Sequence, residues 1–152
     1  MLLGPDLLET TPMPLHTVKQ SISLVSLVVP DYDEAIAFYV GVLGFELVRD
    51  MFIPEENKRW VVVAPRGSNG CKLLLTRLPA REETRRTGTQ ADGRVSLFLH
   101  TDNFDRDYAI YAAKGIKFVR QPKKQPYGTV AVFSDPWGNL WDLLQPKYTR
   151  VA

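Results

Sequence analysis

The chain has 152 residues, of which 45% are hydrophobic and 24% charged, the usual mixture of a globular domain. This length allows a buried core without disulfides, and the single cysteine, Cys71, cannot form one within the chain. A lone cysteine is typical of a reducing compartment, so we expect a cytoplasmic protein. The 19 basic and 17 acidic residues leave a net charge of +2, too small to predict nucleic-acid binding.

Residues 1–20 combine three prolines with no basic segment and no long apolar run. We therefore expect a surface arm there, neither a signal peptide nor a membrane span.

The dominant pattern is a repeat with a spacing of 72 residues, seen in ISLVSLVVPDYDEAIAFYVGVLGFELV from Ile22 and RVSLFLHTDNFDRDYAIYAAKGIKFV from Arg94. Each copy predicts a strand, a capping residue, an amphipathic helix, a glycine and a second strand. A repeat of this length indicates two modules of one domain. The concave surface between such modules is a usual place for a ligand.

In the first module the opening strand, 22–29, ends at Pro30. Asp31 is the predicted N-cap of a helix, with Glu34 at capping-box spacing. An apolar stripe continues this helix to Gly44, where the helix ends. Three strands follow, at 45–51, 59–64 and 72–76.

A polar stretch, 77–93, links the modules and is interpreted as either a connector or a lid. The second module repeats the plan with a strand to His100, N-cap Asn103, a helix to Gly115, and strands at 117–120, 129–134 and 140–144. The sequence thus predicts an α+β fold of two βαβββ modules that form an eight-stranded cup-like sheet. The arm 1–20 precedes a single domain, 21–148, made of module 21–76, linker 77–93 and module 94–146.

Strand alternation predicts which side chains face the cup. In each opening strand one alternate set is uniformly apolar, as in Val25, Leu27 and Val29, and is expected to pack against the helices. The mixed set on the other face is expected to bind a ligand. The candidate ligand-binding residues are Ser26, Lys72, Ser96, Phe98, His100 and Asp142.

Three segments, VPDYDEAIAFYVGVLGFEL, TDNFDRDYAIYAAKGIKF and FSDPWGNLWDLLQ, carry a resemblance to a known family. In this order and spacing they resemble the vicinal oxygen chelate superfamily of glyoxalase I, bleomycin-resistance proteins and extradiol dioxygenases. In the metal-dependent members of that family four cup-facing positions supply His or Glu ligands. The resemblance places those positions at Leu24, Leu74, Ser96 and Asp142.

Leucine cannot ligate a metal, and serine is a poor ligand for zinc, nickel or iron. We therefore expect no metal or other cofactor, and the resemblance to the bleomycin-resistance branch implies binding of a small organic molecule in the cup. A metal-dependent glyoxalase-like lyase or dioxygenase with non-standard ligands is the alternative. A protein-interaction module with a vestigial cup is a third class.

The candidate catalytic residues are His100 and Asp142, and the sequence leaves their roles open. His100 is a structural histidine near a helix N-terminus, a ligand-contacting or proton-transferring group, or a displaced metal ligand. Asp142 is a structural carboxylate, or a recognition or general-base group whose pKa is raised by desolvation.

Basic residues of the second module form either a solvated surface or a rim that attracts anions: Lys114, Lys117, Arg120, Lys123 and Lys124. Exposed sheet edges predict a homodimer.

Overall fold

The computed structural model describes residues 14–78 and 91–147. Most of the predicted arm and most of the predicted linker lie outside these residues. Within them, a single turn of 3₁₀ helix, Leu15–Thr17, precedes the first strand. None of the helices in the described part of the chain is long and apolar enough to cross a membrane.

The two modules have the same order of elements. The first contains β1 (Leu24–Val29), a helix that begins as α1 (Tyr32–Ile36), β2 (Glu46–Ile53), β3 (Lys58–Ala64) and β4 (Lys72–Arg77). The second contains β5 (Val95–His100), α2 (Phe104–Ala113), β6 (Lys117–Gln125), β7 (Gly128–Ser134) and β8 (Leu140–Pro146). β6 extends beyond its predicted end and β1 begins later than predicted, but every predicted strand is present.

The strands form two sheets of four, in the orders β1-β4-β3-β2 and β5-β8-β7-β6. The first strand of each module pairs in parallel with the last, and the other pairs are antiparallel. The predicted α+β fold of two βαβββ modules is therefore confirmed. Its eight strands are divided equally between the two sheets.

Both helices begin at the predicted caps, since the side chains of Asp31 and Asn103 accept hydrogen bonds from the backbone N–H of Glu34 and Arg106. The first helix continues as a π-helical segment, Ala37–Val42, in which the N–H of Leu43 donates to the carbonyl of Phe38 at 2.8 Å. A π segment accommodates one extra residue within a helix. This explains why the repeat aligns Gly44 with Gly115 only after a one-residue deletion.

One core joins the two modules, and its largest side chains are aromatic. The rings of Phe133 and Trp141 stack with centroids 5.8 Å apart, and Tyr39 from the first module packs against Trp141 at 5.9 Å. The Tyr39 hydroxyl donates to Asp135 at 2.7 Å and accepts from the Trp141 indole N–H at 3.3 Å. The segment DPWGN is thus tied to the helix of the other module.

Asp135 is buried and has further donors within its own turn. Its carboxylate accepts from the backbone N–H of Trp137 and from both the backbone and the side-chain amide of Asn139. A buried carboxylate is tolerated only when it is hydrogen-bonded in this way.

Two residues that were expected to pack against the helices are exposed at strand ends. Val25, expected against the helices with Leu27 and Val29, is 45% exposed. Alternation along 71–76 also groups Cys71 with Leu73 and Leu75 on the helix side, but Cys71 precedes β4 and is exposed. Alternation correctly places the strand interiors, but Val25, the second residue of β1, and Cys71, one residue before β4, lie outside the core.

Candidate ligand-binding site

Each sheet has one face packed on the common core and one face turned away from it, which we call the outer face. In β3, Val61 and Val63 belong to the core cluster, whereas Val62 between them does not. In β8, Trp141 and Leu143 belong to the core, and Asp142 between them is only half-buried. The mixed residues identified by alternation therefore occupy the outer faces.

On the second sheet, strand pairing aligns four outer-face residues in a row across the strands: Phe98, Asp142, Val132 and Arg120. Phe98 is 61% exposed although it lies in the middle of its strand. An exposed aromatic ring beside a carboxylate provides a stacking surface with one directional polar group.

The environment of Asp142 is unfavourable for a charged carboxylate. Burial raises the pKa of its carboxyl group, and the positive charge of Arg120 only partly opposes this increase. A raised pKa on a surface that could receive a ligand is typical of functional groups, although structural carboxylates also have such shifts.

His100 pairs with Leu144, so it lies on the outer face at the end of β5, two residues beyond Phe98. Cross-strand diagonal neighbours at this spacing are roughly 7–8 Å apart, which keeps His100 near Asp142 but not adjacent to it. His100 also lines a groove of about 630 Å³ between the modules.

Ser96 lies at an irregularity of the pairing, because Val95 pairs with Leu140 and Leu97 with Trp141. Such a bulge leaves one residue without a direct cross-strand neighbour and re-aims its side chain. Ser96 is exposed there.

The other two candidates belong to the first sheet. Ser26 pairs with Leu74, and Lys72 pairs with Leu24, so Ser26 and Lys72 are diagonal neighbours. The predicted binding set thus falls into two groups, one on each sheet: Ser26 and Lys72 on the first, and Ser96, Phe98, His100 and Asp142 on the second.

The four positions that ligate metal in the metal-dependent relatives do not form a suitable donor set here. Leu24 and Leu74 lie on the first sheet, and Ser96 and Asp142 on the second, with a single carboxylate among them. No group of three or more His, Cys, Asp or Glu side chains able to hold a metal occurs among the described residues. A catalytic metal normally needs three protein ligands, so the residues at these positions do not fit one.

Two grooves among the described residues lie away from Phe98 and Asp142. One, of about 620 Å³, follows the turn around Trp137. In the groove that includes His100, Arg66 and Lys114 donate to the carbonyls of Gly44 and Val42 at the end of the first helix. Those cations cap a helix end.

Sequence reasoning did not select Arg49, and it named Arg120 only as a member of the basic cluster. On the first sheet Arg49 pairs with Val62, completing the row Ser26, Leu74, Val62 and Arg49. This row corresponds residue by residue to Phe98, Asp142, Val132 and Arg120. The signal was present in the repeat, because GFELVRD and GIKFVRQ both continue to an arginine.

Comparison with known proteins agrees with this architecture. Residues 21–143 match the family described as the Glyoxalase/Bleomycin resistance protein/Dioxygenase superfamily. The chain belongs to this superfamily.

Three relatives illustrate the similarity. A protein of Shewanella frigidimarina (strain NCIMB 400), described only as uncharacterized, is 59% identical over 128 residues, covering 84% of this chain and 95% of that protein. The crystal structure of UcmS2 is 32% identical, with a TM-score of 0.72 and coverage of 84% of this chain and 98% of that one. TnmS3, an antibiotic binding protein from Streptomyces sp. CB03234, is 35% identical, with a TM-score of 0.71 and coverage of 87% and 100%.

Proposed function

We propose that this protein binds a small organic molecule on the outer faces of its sheets and sequesters it without a resident metal. The observation that carries the proposal is the exposed ring of Phe98 next to Asp142, whose pKa is raised by burial. An apolar surface with a few directional polar groups is the usual composition of a small-molecule site.

Two further observations support binding. TnmS3, whose match covers 87% of this chain, is an antibiotic binding protein. The family's metal positions hold Leu24, Leu74 and Ser96 besides Asp142, and binding by shape and stacking requires no ligands at these positions.

The test begins with a thermal-shift screen of planar and anionic small molecules against the full chain. The best hit is then titrated calorimetrically into the wild type, Asp142→Asn, and the matched control Asp105→Asn, which removes a carboxylate from the exposed start of α2. Loss of a partner for a buried polar group costs roughly 1–3 kcal/mol, so we expect Asp142→Asn to bind about tenfold or more weakly. The control should bind as tightly as the wild type.

Equal affinity of all three proteins would show that Asp142 does not belong to the binding site. A screen without hits would contradict the proposed function itself. Native mass spectrometry of the freshly purified protein addresses the metal. One zinc, nickel or iron ion held tightly by each chain would overturn the metal-free proposal and favour a lyase or dioxygenase that uses His100 with Asp142.

A further inference from the structure

The outer faces carry more positive charge than the rest of the molecule. Strand pairing and alternation place six basic and two acidic residues on them among the described strands. The acidic residues are Glu46 and Asp142, and the basic residues are Arg49, Lys58, Lys72, Lys117, Arg120 and Lys123. Since the whole chain has a net charge of only +2, the positive charge is concentrated on these two surfaces.

Within this pattern the two arginines occupy equivalent positions. The register of β2 shifts between Leu47 and Arg49, and that of β6 shifts between Phe118 and Arg120. A β-bulge changes the direction in which the following side chain points, and it is a designed feature of a strand and not a defect. Each module therefore has the same irregularity immediately before an arginine that faces outward.

The two arginines differ in their neighbours. Arg120 shares its row with Asp142, and the positive charge of Arg120 acts to lower the pKa of the Asp142 carboxyl group. The corresponding position in the row of Arg49 is Leu74. Asp50, the next residue of β2, is engaged by Arg59, which also contacts Asp33 at the start of α1 on the opposite face of the sheet. The acidic residue on the same face as Arg49 is instead Glu46, which precedes it along β2.

We infer that the ligand of the outer faces is an organic anion, such as a carboxylate or sulfonate attached to an apolar ring system, and that Arg49 and Arg120 determine this specificity. The inference rests on the proposed function and refines it. Guanidinium groups form charge-assisted, often bidentate hydrogen bonds with such anions. On the second sheet, Phe98 and the neighbouring apolar residues contact the ring system.

Charged residues on edge strands also prevent unwanted pairing between molecules, and β2 and β6 are both edge strands. That role requires charge along the edge but no particular face. A suitable control is therefore Lys124, which lies on β6 next to Lys123 but on the opposite face.

The experiment compares two fluorescent probes that differ mainly in charge: anilinonaphthalene sulfonate and the uncharged phenylnaphthylamine. Both are titrated into the full chain and into Arg49→Gln, Arg120→Gln and Lys124→Gln, after circular dichroism has established that each variant is folded. We expect the sulfonate to bind more tightly than the neutral probe. Arg49→Gln should weaken sulfonate binding about tenfold, which corresponds to the loss of one charge-assisted contact.

Arg120→Gln should also weaken sulfonate binding, because it removes the guanidinium group from the outer face of the second sheet. Neither arginine variant should change binding of the neutral probe, and added salt should weaken only the sulfonate. Equal binding of the two probes, or an equal loss in Lys124→Gln and Arg49→Gln, would overturn the inference and leave the proposed function intact. Failure of both probes to bind would count against the proposed function as well.

Discussion

Asp142 is the residue at which function and stability are expected to conflict. Its pKa is raised in the folded state above the ordinary value of 3.8, mainly by burial. Folding therefore favours the protonated form. The stability associated with that form is fully present below the unfolded pKa and is lost as pH rises through the folded pKa.

We therefore expect Asp142→Asn to increase the free energy of unfolding at neutral pH, because the amide stays uncharged. The difference from the wild type should shrink as the pH falls below the ordinary carboxyl pKa. Urea unfolding as a function of pH measures both effects. A variant that is less stable than the wild type at neutral pH would contradict this prediction.

Asp50 provides a control for which the pH dependence of stability has the opposite sign. The hydrogen bonds from Arg59 hold the pKa of Asp50 below its usual value, against the opposing effect of burial. The stability it contributes is present above the unfolded pKa and lost as pH falls through the folded pKa. Asp50→Asn should therefore destabilise the protein at neutral pH.

Tyr39 supports a second prediction at the residue scale. Burial, followed by the nearby carboxylate of Asp135, raises the pKa of the Tyr39 hydroxyl well above its usual value, so the side chain is neutral. Tyr39→Phe removes the donor to Asp135 and the acceptor for Trp141 inside the core. We expect a loss of about 1–3 kcal/mol in the free energy of unfolding.

Tyr108→Phe serves as the control for this measurement. Its hydroxyl donates to Gln121 at 3.2 Å on an exposed surface. Exposed substitutions of this kind usually change stability by less than about 0.5 kcal/mol. Similar losses in the two variants by urea unfolding would show that the hydroxyl of Tyr39 has no special role in joining the modules.

At the scale of elements, the hairpin between β6 and β7 depends on Gly128. Its φ angle is +152°, and a Cβ atom added there would lie 2.2 Å from the backbone oxygen of Gln145 in β8. No side-chain rearrangement can relieve a clash with a paired strand. Gly128→Ala should therefore separate the end of β7 from β8.

Gly115 at the end of α2 has a φ angle of +81° with nothing within 4 Å of an added Cβ. Gly115→Ala should lower the free energy of unfolding by about 1–2 kcal/mol, which is the strain of a left-handed backbone conformation alone. We expect Gly128→Ala to lower the free energy of unfolding clearly more than Gly115→Ala does, as measured by thermal or urea unfolding. The reverse order would mean that the β7–β8 contact relaxes more easily than its backbone geometry indicates.

The molecule as a whole leaves both sheets with an outer face and open edges at β1 and β5. Apolar residues remain exposed on these surfaces, including Phe98 and Met51. Exposed edges and patches of this kind are usually covered by another chain. We therefore expect a homodimer.

Light scattering at tens of micromolar protein should give twice the mass of the chain. A variant that lacks residues 1–20 tests whether the predicted arm adds to the contact. A monomer of the full chain at this concentration would contradict the prediction of a dimer.

The repeat in the sequence by itself determined the module plan, the order of elements along each module and the two helix caps. These features depend on local patterns: period-two alternation in strands, a stripe along each helix, and capping residues at Asp31 and Asn103. The same alternation correctly separated core residues such as Leu27 and Leu143 from outer-face residues such as Phe98 and Asp142. It failed at Val25 and Cys71, where the strand end is outside the core.

Only the tertiary structure decided which distant residues meet. The contact between Tyr39 and Asp135 joins positions 96 residues apart, and the row from Asp142 to Arg120 depends on the register of three strands. A bulge changes that register by one residue, so alternation alone did not place Arg49 and Arg120 on the outer faces. Local periodicity determines the direction of a side chain, but strand pairing across the sheet determines its neighbours.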